Sequence, residues 1–298
     1  MRKTWLEVAL NGPWGRTRQP GIPVSVRDIV EQAVACVRAG AAIVHVHAYD
    51  ESSAAPRESA VAYAAIIEGI RRHVDAIVYP TVSIPGMAHS SVDETPPQRF
   101  AVHEELAQRG LLEWAAVDPG SVNIASYDDL GQDREGFVYR NPEADLRYAL
   151  GLAARYRFHP SYAIYEAGFL RLGASLHWRC ACPAPIYRFM FSSDYTFGFP
   201  PDDYGLTAYL RLMDQVAPGG RWMVAGLGVD ILQLLPRAVA EGGHVRVGLE
   251  DASLGCTRTN VELVEAAARM INACGGELAT AAEVRAELRA AELGEAQI

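Results

Sequence analysis

His45 and His47 are separated by one residue near the end of an apolar run over residues 41–49. A β-strand repeats every two residues, so both imidazoles fall on one face. Two neutral imidazoles side by side make part of a site for a borderline divalent ion, completed by a carboxylate and water. The same spacing also fits a pair of hydrogen-bonded core histidines. Residues 244–251, HVRVGLED, put Arg246, Gly248 and Glu250 on one face with Asp251 just beyond. Glu250 is the candidate third ligand. Arg246 can hold Asp251 through a two-pronged ion pair, and a carboxylate in a dry, metal-containing pocket can be tuned to take a proton. Taken alone, Glu250 and Asp251 fit equally well as a surface pair ending a strand.

Other apolar runs also end in polar groups: Thr81 and Ser83, then Asp118, Ser121 and Asn123, then Glu166, then residues 192–194. Singly, such residues usually cap loops. The turn Gly226-Leu227-Gly228 either lets backbone amides approach a phosphate or is a plain tight turn. His73, His89, His103, His159 and His177 have no motif spacing, and His244 opens its strand at the end opposite the other polar groups.

Only a closed sheet brings the second and eighth runs to one rim. Apolar, β-branched runs at 6–10, 41–49, 76–83, 114–122, 161–168, 185–191, 221–228 and 244–251 read as eight strands. Helical spacing follows each one. The first helix opens at Ser25 and Asp28 as a capping box and stops at Gly40. The others cover 60–70, 99–109, 143–155, 169–178, 204–216, 231–241 and 260–273, and a last helix at about 280–292 is capped by Thr280 and Glu283. Alternating β and α elements imply a parallel sheet sheathed in helices. Eight such units in roughly 250 residues are the size of a (β/α)8 TIM barrel, with catalytic groups at the C-terminal strand ends. The chain, 1–298, is expected to be one such domain plus the terminal helix. A doubly wound open sheet is the alternative, though it would gather its key loops at one switch point. The loops at 84–95, 124–141 and 192–203 are long enough to act as lids or binding loops.

Half of the residues are hydrophobic and 21% are charged, which suits a soluble protein with a large core. A net charge of -9 argues against nucleic-acid binding. No run reads as a signal peptide or as a bilayer span, so no membrane association is expected. The five scattered cysteines fit a reducing cytoplasm. Cys180 and Cys182 form a C-x-C with no second pair to complete a zinc set.

The early Asn-Gly after the first strand, the A-G-A-A-I-V-H-V-H ending in His47, and the G-G-H-V-R-V-G-L-E-D of 242–251 together resemble the β-keto acid cleavage enzymes. This is the family of the 3-keto-5-aminohexanoate cleavage enzyme. Asn260, Leu263 and Val264, then Ala279-Thr280 with Glu283 and Arg285, are similar to the family's ending. The resemblance implies a zinc-dependent (β/α)8 barrel that condenses a β-keto acid with acetyl-CoA to give acetoacetate and a new CoA thioester. Zinc, or another divalent transition metal, would lie on His45, His47 and Glu250. Arg246 and Asp251 match the pair that positions and performs proton abstraction. Thr81 falls where the family has a serine and Ser121 where it has a threonine, both candidate donors to oxyanions. Asn11, Trp14, Tyr49, Ser83, Asn123, Glu166, Gly226 and Gly228 are the expected substrate- and CoA-binding positions. A homo-oligomer, dimer or tetramer, is implied as well.

Three stretches depart from the family's pattern. Members acting on amino substrates carry G-A-E after the first strand, whose carboxylate meets the ammonium; here residues 12–16 read Gly-Pro-Trp-Gly-Arg. An apolar, polar neutral or anionic substrate side chain is therefore expected instead. Tyr49 replaces an arginine after H-x-H, and residues 192–197, Ser-Ser-Asp-Tyr-Thr-Phe, replace a glycine-rich stretch that frames the CoA side. The alternatives are a metal-dependent hydrolase or retro-aldolase acting without CoA, and a non-catalytic metal- or ligand-binding barrel.

Overall fold

Eight parallel strands frame the computed structural model, which describes residues 3–84 and 93–295. They are β1 (Leu6–Ala9), β2 (Ile43–Val46), β3 (Ile77–Pro80), β4 (Trp114–Ala116), β5 (His159–Ile164), β6 (Ile186–Phe191), β7 (Arg221–Gly226) and β8 (His244–Val247). Hydrogen-bonded neighbours run β3-β2-β1-β8-β7-β6-β5-β4. β3 and β4, at the two ends of that order, pack against each other, so the sheet is a nearly closed parallel barrel. This is the expected (β/α)8 architecture. Residues 85–92, which hold His89 and most of the loop expected after the third strand, lie outside the described residues.

Around the barrel run α1 (Val26–Arg38), α2 (Ala60–Arg71), α3 (Ala101–Gln108, after a single turn at Pro96–Arg99), α4 (Glu143–Tyr156), α5 (Ala167–His177), α6 (Asp203–Val216), α7 (Leu235–Ala240), α8 (Asn260–Ala273) and α9 (Ala281–Glu295). Strand residues that face outward, such as Val8, Val44, Phe189 and Val224, join the helices' buried stripes in one apolar layer. Burial on both faces explains why these strands read as apolar runs rather than as alternating patterns. The capping box of Thr280 and Glu283 forms as expected. At α1, Ser25 Oγ accepts the Asp28 amide at 3.0 Å. Its reciprocal half is not made: the short Asp28 carboxylate pairs with Arg16 at 3.7 Å instead.

The N-terminal end of the barrel is closed by Trp5, Ile43, Trp114 and Met223 against Ala281, Val284 and Leu288 of α9. His244 stacks on Trp5 with 3.9 Å between ring centroids, which keeps it at this closed end as its place in the strand predicts. The other end opens into loops. The run expected over 114–122 stops as a barrel strand at Ala116. Beyond it, Val122–Ile124 pairs antiparallel with Phe137–Tyr139, with a helical turn at Tyr127–Leu130 between them. Among the described residues, no helix is long and apolar enough to cross a membrane.

Candidate active site

β2, β1 and β8 are consecutive in the barrel, and their open ends bring His45, His47 and Glu250 together from residues some 200 positions apart. His45 Nε2 lies 3.5 Å from Glu250 Oε2, and His47 Nε2 lies 3.5 Å from Glu250 Oε1. The rings stand edge to face at 86°, 5.2 Å between centroids. All three side chains are buried, and one donor atom from each lies within 4.8 Å of the other two. Separations of 3.5 Å are too long for good hydrogen bonds. His47 Nε2 and Glu250 Oε2 are buried with no hydrogen-bond partner, although buried polar atoms are normally paired. Two imidazole nitrogens and a carboxylate, converging without satisfying one another, fit a divalent ion.

Electrostatics keep His45 and Glu250 in their ligating forms. Burial holds the His45 imidazole well below its ordinary value, hence neutral. Burial also opposes ionisation of Glu250, but the Arg246 guanidinium beside it outweighs burial and holds the carboxylate well below the usual range. Local backbone supplies the rest. His47 lies one residue beyond β2, where Asn11 replaces the missing ladder partner. Asn11 Oδ1 accepts the His47 amide at 2.9 Å, and its Nδ2 donates to the carbonyls of His47 and Pro23, both at 3.0 Å. Gly12 has φ +60°, and a Cβ there would meet Glu250 Cγ at 2.7 Å, so only glycine lets the chain pass the carboxylate so closely. Trp14 Nε1 donates to the Glu250 carbonyl at 2.8 Å. Tyr49 donates its hydroxyl to the Gly12 carbonyl, so the residue that replaces an arginine here braces the loop after β1.

Arg246 is the hub beside this cluster. Its Nε and Nη2 grip Asp251 at 2.7–3.2 Å, Nη2 reaches Glu250 at 2.8 Å, and Nη1 reaches Glu7 at 3.2 Å. Burial works against its charge, yet Asp251 and Glu250 beside it hold the guanidinium firmly cationic. Burial raises the Asp251 carboxyl above its ordinary range despite Arg246. Tyr79 donates to Glu7 Oε1 at 2.6 Å and completes the floor.

The mouth is a cavity of about 320 Å³. His45, His47, Thr81, Arg188, Arg246 and Glu250 line it, with Trp14, Tyr139, Tyr165, Tyr195 and Met190 among its walls. Asp251 lies behind Arg246 and lines a neighbouring cavity of about 400 Å³.

Several expected residues do not reach the mouth. Ser121 is exposed and accepts the Asn141 amide at 2.8 Å, and Asn123 is exposed on the hairpin. Ser83 donates to Glu94 at 3.2 Å, to one side, and Glu166 accepts the Gly198 amide at 3.1 Å. Gly226 ends β7 packed under Val229, and Gly228, at φ +68°, abuts Asp194. Conversely, Glu7, Tyr79 and Arg188 were not among the expected site residues. A lone charge at an inward position of an apolar strand, as in LEVA or IYRFMF, is the signal that marks two of them.

Residues 3–289 match the family model for beta-keto acid cleavage enzymes. The 3-oxoadipate:acetyl-CoA acetyltransferase of Cupriavidus necator is 25% identical over 292 residues, covering 95% of this chain and 93% of its own. The 3-keto-5-aminohexanoate cleavage enzyme of Fusobacterium nucleatum is 25% identical over 279 residues, covering 91% of each. Among solved structures, apo ObcA superposes with a TM-score of 0.71 at 17% identity, over 90% of this chain and 65% of that longer one, a likeness of fold. With a family match that spans nearly its whole length, the chain belongs to the beta-keto acid cleavage enzyme family.

Proposed function

We propose that this protein exchanges acyl groups between a β-keto acid and acetyl-CoA, using a zinc ion held by His45, His47 and Glu250. The observation that carries the reading is the buried donor cluster with its unpaired atoms, set beside the Arg246–Asp251 pair at the mouth of a barrel of this family. The names of the relatives support the acetyl-CoA half. In the balanced reaction, C2 of R–CO–CH2–COO⁻ loses a proton and bonds to the acetyl carbon, releasing the CoA thiolate. The thiolate then takes the R–CO group as the C2–C3 bond breaks, and the carbanion left at C2 takes the proton back, giving acetoacetate and R–CO–CoA.

A bound divalent ion would supply Lewis acidity that makes C2 acidic. The chain's residues do the rest. Arg246 faces the mouth and orients the reacting carboxylate, and Asp251, held by Arg246 at 2.7–3.2 Å, is the base for the C2 proton. Thr81 lines the mouth with its hydroxyl bonded only weakly, at 3.5 Å to the Val82 carbonyl, and is the donor to the developing oxyanion. Trp14, stacked on Tyr195 at 6.3 Å, walls off water. Pro13 and Trp14 stand where amine-using members carry a carboxylate, which argues against an ammonium-bearing substrate. Unpaired cysteines support a reducing cytoplasm, and the family resemblance supports a homo-oligomer.

Metal analysis of the wild type and His47→Ala, with acetoacetate release from a panel of β-keto acids, tests the reading. It predicts about one zinc per chain, lost in the variant, and release only with acetyl-CoA. Undiminished metal in His47→Ala would overturn the ligand set, and turnover without CoA would point to a hydrolase or retro-aldolase.

A further inference from the structure

Four strands round the barrel from β2 stands β6, which puts Arg188 on the opposite wall of the mouth, only 4% exposed. A guanidinium carries five N–H donors. Among the described residues, those of Arg188 make two long contacts, both through Nη2: to the Ser161 carbonyl at 3.4 Å and to Asp118 Oδ1 at 3.5 Å. Its Nε is buried with no partner. Asp118 is already engaged, because Oδ2 accepts the Tyr139 hydroxyl at 2.6 Å and Oδ1 the Ala163 amide at 2.9 Å. The contrast with Arg246, gripped by three carboxylates, is plain. A buried cation short of acceptors is unfavourable unless something entering the cavity supplies them.

We infer that Arg188 receives a carboxylate at the far end of the substrate's side chain, so that the β-keto acid used is a dicarboxylate. The inference rests on the acyl-transfer reading only for what happens at the other end. The reacting carboxylate has the His45–His47–Glu250 side and Arg246 to meet it. Ala116, Ala163 and Met190 also line the mouth and carry no charge; its remaining arginine, Arg18, lies over the Trp14 ring. A cavity of about 320 Å³ admits a chain of a few carbons stretched between the two sides. A cationic side chain would be repelled there, in keeping with the missing carboxylate at residues 12–16.

Two readouts test this on the zinc-loaded full chain. The first is calorimetric binding of glutarate against 5-methylhexanoate, in which an isopropyl group takes the place of one carboxylate. The second is the turnover ratio of a 3-oxo diacid to the 3-oxo monoacid of equal length. Wild type should favour the diacid in both. Arg188→Gln should shrink the preference roughly 10–100-fold, the loss expected when a buried hydrogen bond to a charged group is removed. Arg188→Lys, which keeps the charge but not the fork, should retain part of it. Equal binding of the two acids by wild type, or an equal loss for both in Arg188→Gln, would overturn the assignment, as would turnover favouring the monoacid. Diacid-selective binding that depends on Arg188, with no turnover of either keto acid, would uphold the anion site and sink the acyl-transfer reading instead.

Discussion

Replacing Asn11 by alanine separates the support of the proposed metal centre from its proposed ligands. Asn11 is wholly buried and does not line the mouth, yet it satisfies three backbone groups, the amide and carbonyl of His47 and the carbonyl of Pro23, at 2.9–3.0 Å. Alanine leaves all three unpaired in the interior. At about 1 kcal/mol or more for each, the metal-free protein should lose about 3 kcal/mol of stability. The His47 backbone would no longer be fixed beyond the end of β2, and groups that orient a metal ligand typically contribute 10–100-fold in affinity. Zinc affinity, read by competition with a chromophoric chelator, should therefore fall by about that factor, and the urea midpoint of chelator-treated protein should fall with it. Asn11→Asp keeps the acceptor for the His47 amide but sets a carboxylate against two carbonyls, and should not restore either property. Lost stability with unchanged zinc affinity would show that Asn11 merely ties loops together. No change in either would refute the reasoning.

Asp251→Asn preserves shape and should leave zinc content intact while lowering turnover about 100-fold or more, the usual range for removing a general base; near-normal turnover would remove Asp251 from proton transfer. Gly12→Ala pushes a methyl into Glu250 and demands a left-handed backbone, so zinc occupancy should drop and stability fall by about 1–3 kcal/mol. Full occupancy, measured by elemental analysis, would contradict the close approach. His103 on α3 is buried, and burial, with Arg99 nearby, pushes its imidazole from 6.5 down to about 4. Because the folded state binds this proton less readily, the stabilisation is present above pH 6.5 and is lost as pH falls towards 4, about 3 kcal/mol in all. His103→Phe should flatten the decline of the urea midpoint between pH 7 and pH 4; an unchanged slope would exclude His103 as its source.

The clustering of His45, His47 and Glu250 was legible because its two signals are local. His45 and His47 share a face by the period of a strand, and Arg246, Glu250 and Asp251 sit within six residues. Their meeting across some 200 positions followed from the count of eight β/α units, which makes the first and last strands neighbours. Where the sequence misled, regular pairing had ended sooner than the apolar run. The run over 114–122 leaves the barrel after Ala116, so Ser121 and Asn123, read as the polar end of that run, lie exposed beyond the barrel. The role of Asn11 was hidden for another reason: its partners lie 12 and 36 residues away, and only the folded backbone brings them to it. Glu7 and Arg188 were visible as charges inside apolar strands, but which charge faces which cannot be read before the barrel is closed.

The central claim, acyl exchange at this metal cluster, is tested most directly by following carbon. Zinc-loaded protein, a β-keto acid that it consumes and acetyl-CoA labelled with ¹³C in both acetyl carbons are incubated, and the products are read by NMR and mass spectrometry. The account predicts acetoacetate labelled at C3 and C4 but not at C1 and C2, alongside an unlabelled new acyl-CoA in equal amount, with neither product formed by His47→Ala. Unlabelled acetoacetate, or labelled acetate with no new acyl-CoA, would contradict it.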